Sequence, residues 1–209
     1  MKKKLISLLL VVALIATIPA AHMSAKSVSM TKSFQNNKKF TAMVKDVGPW
    51  WMRAIVYDGQ KSVVLTKKNK IQMAADIAVI NHKYKSYNDG NKVIMAKKDL
   101  KKAYKDLFGT TWFSMKNIEK KNSPQKSTRT IYLDKTNKIH VNLGDWGDSG
   151  PSFKIVKVVK SGLTYTATIK MYMVGAMPKT LKGVATMKFR KNASSVYGYK
   201  MISLVAKAK

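Results

Sequence analysis

The chain has 209 residues, with 40 Lys+Arg against 10 Asp+Glu, no cysteine and 45% hydrophobic residues. That length bounds the fold to one domain with a small N-terminal attachment, and the ordinary apolar fraction excludes wholesale disorder despite a net charge of +30. Absence of cysteine excludes disulfide scaffolds, thiolate metal sites, cysteine nucleophiles and a lipid-modified N-terminal cysteine.

Lys2, Lys3 and Lys4 precede an apolar run from Leu5 to Ile18, followed by Pro19 and small residues up to Ser24 and Ala25. This order predicts a secretory signal peptide over residues 1–25. The run is short of the ~20 residues a membrane-spanning helix needs. Cleavage after Ala25 is expected, with Ala21 as the alternative. It removes three lysines and no acids, leaving 184 residues of net charge +27. No transmembrane segment is expected after cleavage, so the product is secreted or cell-surface associated. Residues 26–39, rich in Ser, Lys and Asn, read as a flexible basic leader, and residues 40–209 as a single domain.

Phe40 to Tyr57 holds apolar residues and the pair Trp50-Trp51, but Gly48-Pro49 interrupts the pattern and no element is assigned. Thr66 is placed to cap a helix running to about Asn81, because Ile71, Ala74, Ala75, Ala78 and Val79 recur at helical spacing. Tyr84 to Asn91 reads as a polar loop with an Asp89-Gly90 turn. A second helix follows. Leu100, Ala103, Tyr104, Leu107 and Phe108 share one face, Lys98, Lys101, Lys102 and Lys105 the other, and Gly109 sits at the C-terminal cap.

Beyond Gly109 the period changes to two. Strands are predicted over Thr130–Asp134, Lys138–Gly144, Ser152–Lys160, Leu163–Val174, Lys182–Lys191 and Val196–Val205. The short connections Lys135-Thr136-Asn137 and Lys160-Ser161-Gly162 predict antiparallel hairpins. Helices first and a meander afterwards give an α+β fold, with N-terminal helices packed on a curved antiparallel sheet of five to six strands.

The run Lys97 to Tyr104, ending Leu107-Phe108-Gly109, and the stretch Phe189 to Tyr199 resemble segments of uncharacterised exported proteins from anaerobic Gram-positive bacteria. The order of elements is similar to cone-shaped NTF2-like or cystatin-like domains. That resemblance implies a layout and transfers no activity and no catalytic residue.

Gly147-Asp148-Ser149-Gly150-Pro151 resembles the serine segment of trypsin-like proteases, but lacks one of their glycines and a base in suitable context. It reads as a turn-rich loop between strands. Asp134, Asp145 and Asp148 match no calcium-loop spacing, and His82 and His140 are too few for zinc. His140, alternating with Ile139 and Val141, is expected to face water. No phosphate-loop or dinucleotide motif is present, so no catalytic residue, metal ligand or cofactor is assigned. Trp146, in the loop 144–151, is the candidate for stacking on a ligand. Tyr197 and Tyr199 are candidates on a strand face shared with Met201, with core packing as the alternative.

The lysine face of the second helix, Lys98, Lys101, Lys102 and Lys105, is the candidate polyanion contact, with an ordinary solvated face as the alternative. Only Arg53, Arg129 and Arg190 are arginine in the mature chain, which disfavours sequence-specific nucleic-acid reading. Lysine point charges suit diffuse attraction to an anionic wall polymer or an anionic lipid surface. The expected function is an exported, non-enzymatic, envelope-associated binding domain. The alternatives are a cell-wall or glycan hydrolase, and a secreted inhibitor or cationic effector.

Overall fold

The computed structural model describes residues 27–80, 86–89, 92–120, 131–142, 150–175 and 180–209. The segment 1–25, expected from the sequence to be a signal peptide, therefore lies outside the described residues, as does the loop carrying Trp146 and Ser149. Strand β1 (Val28–Ser29) leads into helix α1 (Thr31–Gln35) and the long helix α2 (Lys38–Val56). After β2 (Ser62–Val64) come α3 (Lys67–Ile80), β3 (Ser86–Asp89), β4 (Lys92–Met95) and α4 (Lys97–Phe108). Short strands β5 (Glu119–Lys120), β6 (Ile131–Leu133) and β7 (Ile139–Asn142) precede four long ones. Those are β8 (Gly150–Ser161), β9 (Thr164–Val174), β10 (Thr180–Lys191) and β11 (Tyr199–Ala208).

The long strands form an antiparallel meander, extended to six strands by β1 beside β8 and β2 beside β11. The α+β layout read from the sequence therefore holds, and the sheet is open. Its inner face is apolar in its central rows, with Lys160 and Lys191 at its margin. Cross-strand rows run Ile155, Ile169, Ala185, Ala206 and Val158, Ala167, Met187, Leu204, all buried. Bulges in β8 near Val156, in β10 near Lys182 and in β11 near Ile202 keep the apolar residues inward over 10 to 12 residues while bending each strand. A second sheet has the order β3-β4-β7-β6-β5 and is antiparallel except for the β5–β6 pair.

Two sequence expectations need correction at the N-terminal side. Residues 27–39 are not a flexible leader: β1 pairs with β8, and Phe34 on α1 is buried among Phe40, Tyr165, Phe189 and Tyr199 at centroid distances of 5.0 to 5.5 Å. Thr31 and Gln35 also complete the edge of β8, Thr31 Oγ1 accepting from Val158 N at 3.0 Å and Gln35 Nε2 donating to Ile155 O at 2.8 Å. The unassigned stretch 40–57 belongs to α2 up to Val56, with Tyr57 its C-cap; the helix carries Pro49 within it and is capped by Asn37, whose side chain accepts from Phe40 N at 2.9 Å. Gly48 is required there by packing, since a Cβ would lie 2.2 to 2.6 Å from the Phe153 ring.

Helix α3 starts where Thr66 predicts, with Thr66 Oγ1 accepting from Asn69 N at 3.2 Å. Helix α4 matches its predicted faces and ends at Gly109 in the left-handed region, φ 71°. An L side chain there is disfavoured, and its Cβ would also meet Lys200 Cδ at 2.8 Å. Gly109→Ala is expected to lower stability by about 1–2 kcal/mol in a urea titration; an unchanged midpoint would contradict this account of the cap.

The predicted strand Val196–Val205 begins later, at Tyr199. Residues 192–198 instead form a turn closed by Asn192 N to Gly198 O at 2.9 Å and Gly198 N to Ser195 O at 2.9 Å, with Gly198 at φ 70°.

Candidate polyanion-binding surface

Lys98, Lys101, Lys102 and Lys105 are all exposed on α4, opposite buried Leu100, Ala103 and Leu107. The helix end is anchored by the 192–198 turn. Ser195 Oγ donates to Asp106 O at 2.5 Å, and Val196 N to Asp106 Oδ1 at 3.4 Å. The two stretches that carry the resemblance thus fold against each other. Lys200 joins them: its side chain runs beside Gly109, and across the strands it faces Arg190.

Tyr197 and Tyr199 are not on an open concave face. Tyr197 lies in the turn before β11, 1% exposed, with its hydroxyl donating to Asp46 Oδ2 at 2.6 Å. Tyr199 is buried in the aromatic core and accepts a 3.0 Å hydrogen bond from Asn37 Nδ2, while burial pushes its phenol pKa up. Both therefore act in packing. Trp146 falls outside the described residues; among the others Trp50 and Trp51 are buried and Trp112, beyond the α4 cap, is 74% exposed.

His140 also departs from its expected exposure. Its imidazole stacks on Tyr132, its cross-strand partner, at 4.9 Å, and is 13% exposed. Nε2 lies 2.7 Å from Asp134 Oδ2. The other Asp134 oxygen accepts from Thr136 N, Thr136 Oγ1 and Lys138 N at 2.7 to 2.9 Å. Those bonds, the one to His140 foremost, hold the Asp134 carboxyl well below the usual carboxylate range. An aspartate oriented on a histidine is what a general base needs. Here the remaining nitrogen, Nδ1, is buried with no hydrogen-bond partner, so the pair works as a brace for the β6–β7 hairpin. Among the described residues no group of three or more His, Asp or Glu could hold a metal ion.

Of the six carboxylates whose side chains are described, five are internal or engaged, and Asp58 is exposed. Asp76, Asp99 and Asp106 are buried, Asp46 accepts from Tyr197, and Asp134 is committed to its turn. The lysines lie outside. A simple signal in the sequence locates the extreme of this segregation: every Asp and Glu precedes Ser149, and the remaining 61 residues carry 12 Lys+Arg and no acid. Composition over the whole chain concealed it.

That acid-free stretch is the meander. Its outer face repeats across the strands as Lys154, Lys170, Val184, Lys207; then Lys157, Thr168, Thr186, Val205; then Val159, Thr166, Lys188, Ser203. Arg190 follows, its Nε donating to Thr164 Oγ1 at 3.1 Å. No known family, curated protein or solved structure matches the chain.

Proposed function

We propose that the protein is an exported, non-enzymatic binding domain held at or near the bacterial envelope by attraction to a polyanion. The observation that carries this reading is the separation of charge among the described residues, with five of six carboxylates buried or bonded internally, Asp58 excepted, and most lysines on the outside. Near-exclusive use of lysine supports contact through point charges rather than bidentate forks. The similarity of element order to NTF2-like and cystatin-like cones is kept as a likeness of layout. The inner sheet face is filled by Phe40, Phe189 and their neighbours, so the ligand contact belongs outside. Among the described residues no helix is long and apolar enough to cross a membrane.

Retention by a phosphate-rich wall polymer should follow counterion release. Each phosphate neutralised lowers the log-log salt slope by about 0.7, as for a single-stranded polyanion. Five contacts give a slope of about −3.5, or roughly a hundredfold weaker binding at 200 mM than at 50 mM salt. The measurement is binding of the chain lacking residues 1–25 to purified wall polymer across a salt series. A flat dependence, or no binding at 50 mM, would reduce the lysines to a solvated coat.

A further inference from the structure

We infer that the outer face of the β8–β11 meander, rather than the lysine face of α4, is where a linear phosphate polymer docks. This rests on the polyanion reading above and gives it a place. The face is four strands across, and none of its strands contains an acidic residue. Lys154 stands directly opposite Lys170, and Arg190 directly opposite Lys200. Like charges in directly opposed positions destabilise an antiparallel pair, and no carboxylate on these strands relieves them. An anion lying between the partners does.

Spacing supports a polymer over a compact ligand. Successive outward rows are two residues apart, about 6.8 Å, and strands are about 4.8 Å apart, so the cations form a shallow lattice. Thr166, Thr168 and Thr186 between them are β-branched residues that suit strands, and their hydroxyls can donate to phosphate oxygens. A lipid surface is the less favoured occupant. Interfacial binding uses an apolar, aromatic-rich face. The exposed aliphatic residues are spread out, with Val64, Ile202 and Val205 on the β2–β11 side, Leu163 and Val174 at the two ends of β9, Val28 on β1 and Val196 in the 192–198 turn, and exposed Trp112 follows α4 instead. On α4 the carboxylates of Asp99 and Asp106 lie on the same helix as the lysines, which weakens its field.

The test uses long-chain inorganic polyphosphate as probe and the chain lacking residues 1–25. The triple variant Lys157→Gln, Lys170→Gln, Lys188→Gln should bind about a hundredfold more weakly at 50 mM salt, with a salt slope shallower by about 2. The quadruple variant Lys98→Gln, Lys101→Gln, Lys102→Gln, Lys105→Gln removes more charge yet should lose less than tenfold. Lysine-to-arginine changes at the three sheet positions should preserve binding. Should the triple variant fail to fold, Thr168→Glu leaves every lysine in place and should weaken binding about tenfold. Equal or greater loss in the α4 variant overturns the assignment to the sheet, as does full binding by the sheet variants. Binding to vesicles of phosphatidylglycerol but not to polyphosphate overturns the polymer as occupant. No binding of the unaltered chain to polyphosphate, wall polymer or such vesicles removes the polyanion reading itself.

Discussion

Asp76→Asn is expected to stabilise the fold by up to about 4 kcal/mol above pH 7, and by little near pH 4. Asp76 is 7% exposed on α3, and burial pushes its carboxyl from an ordinary 3.8 to about 7, against the opposing pull of Arg53 on α2. The folded chain therefore keeps this proton up to about pH 7, whereas the unfolded chain releases it near pH 4. Between those values the folded state binds more protons, so raising the pH lowers stability. Each pKa unit corresponds to 1.36 kcal/mol, and a shift of about three units gives the stated ceiling. Asparagine keeps the shape and cannot ionise, so its advantage should grow across this window and then level. Urea titrations at pH 4.5, 6, 7 and 8 measure it. A variant weaker than the parent at pH 8 would mean that Asp76 is ionised and held by Arg53.

The same residue illustrates what was readable in advance. Helix α3 is visible because Ile71, Ala74, Ala75 and Ala78 recur at 3.6-residue spacing after a capping Thr66, but Asp76, off that stripe on the same helix, carries no local sign of its burial. Helix α4 and strand β9 were equally legible, one from its two faces, the other from Tyr165, Ala167, Ile169 and Met171 alternating with threonines. Helix α2 was not. Gly48-Pro49 is a helix-breaking signal, and only the burial of Trp50, Trp51, Met52 and Ile55 against the sheet overrides it.

Strands β1, β2 and β5 span two or three residues and exist through pairing with distant chain, so no window of sequence contains their cause. The bulges in β8 and β11 shift the inward parity from odd to even residues within one strand, which breaks the period that identifies a face. For the same reason the outward lysines could not be sorted from the edge ones. Lys157 and Lys188 belong to one surface only once the register is known. Tyr197 and Tyr199 looked like a strand pair because they are two residues apart. The intervening Gly198 turn, and the bond from Tyr197 to Asp46, place them in different roles.

Phe34→Ala is expected to cost about 3–5 kcal/mol, the usual range for emptying a buried phenylalanine site. In a domain of this size that lowers the melting temperature by roughly 6–20 °C. Phe34 is 3% exposed and sits in a polar stretch where composition alone predicts a mobile leader. Its ring meets Phe40 edge-on at 5.0 Å, Phe189 at 5.4 Å and Tyr165 at 5.0 Å, so it joins α1 to α2, β9 and β10 at once. Truncation leaves a void bounded by rigid rings that cannot close by rotating about one bond, which sets the cost toward the upper part of the range. The loss should also loosen β1 and α1, because Thr31 and Gln35 complete the β8 edge only while Phe34 holds their helix down. Amide hydrogen exchange should then rise at Val158, whose N–H is bonded to Thr31, before it rises in the centre of β9. A chain beginning at residue 37 should reproduce both effects, since it removes the same side chains. Melting curves of the two variants beside the parent decide the matter: coincidence with the parent would return residues 27–36 to the status of an unstructured leader.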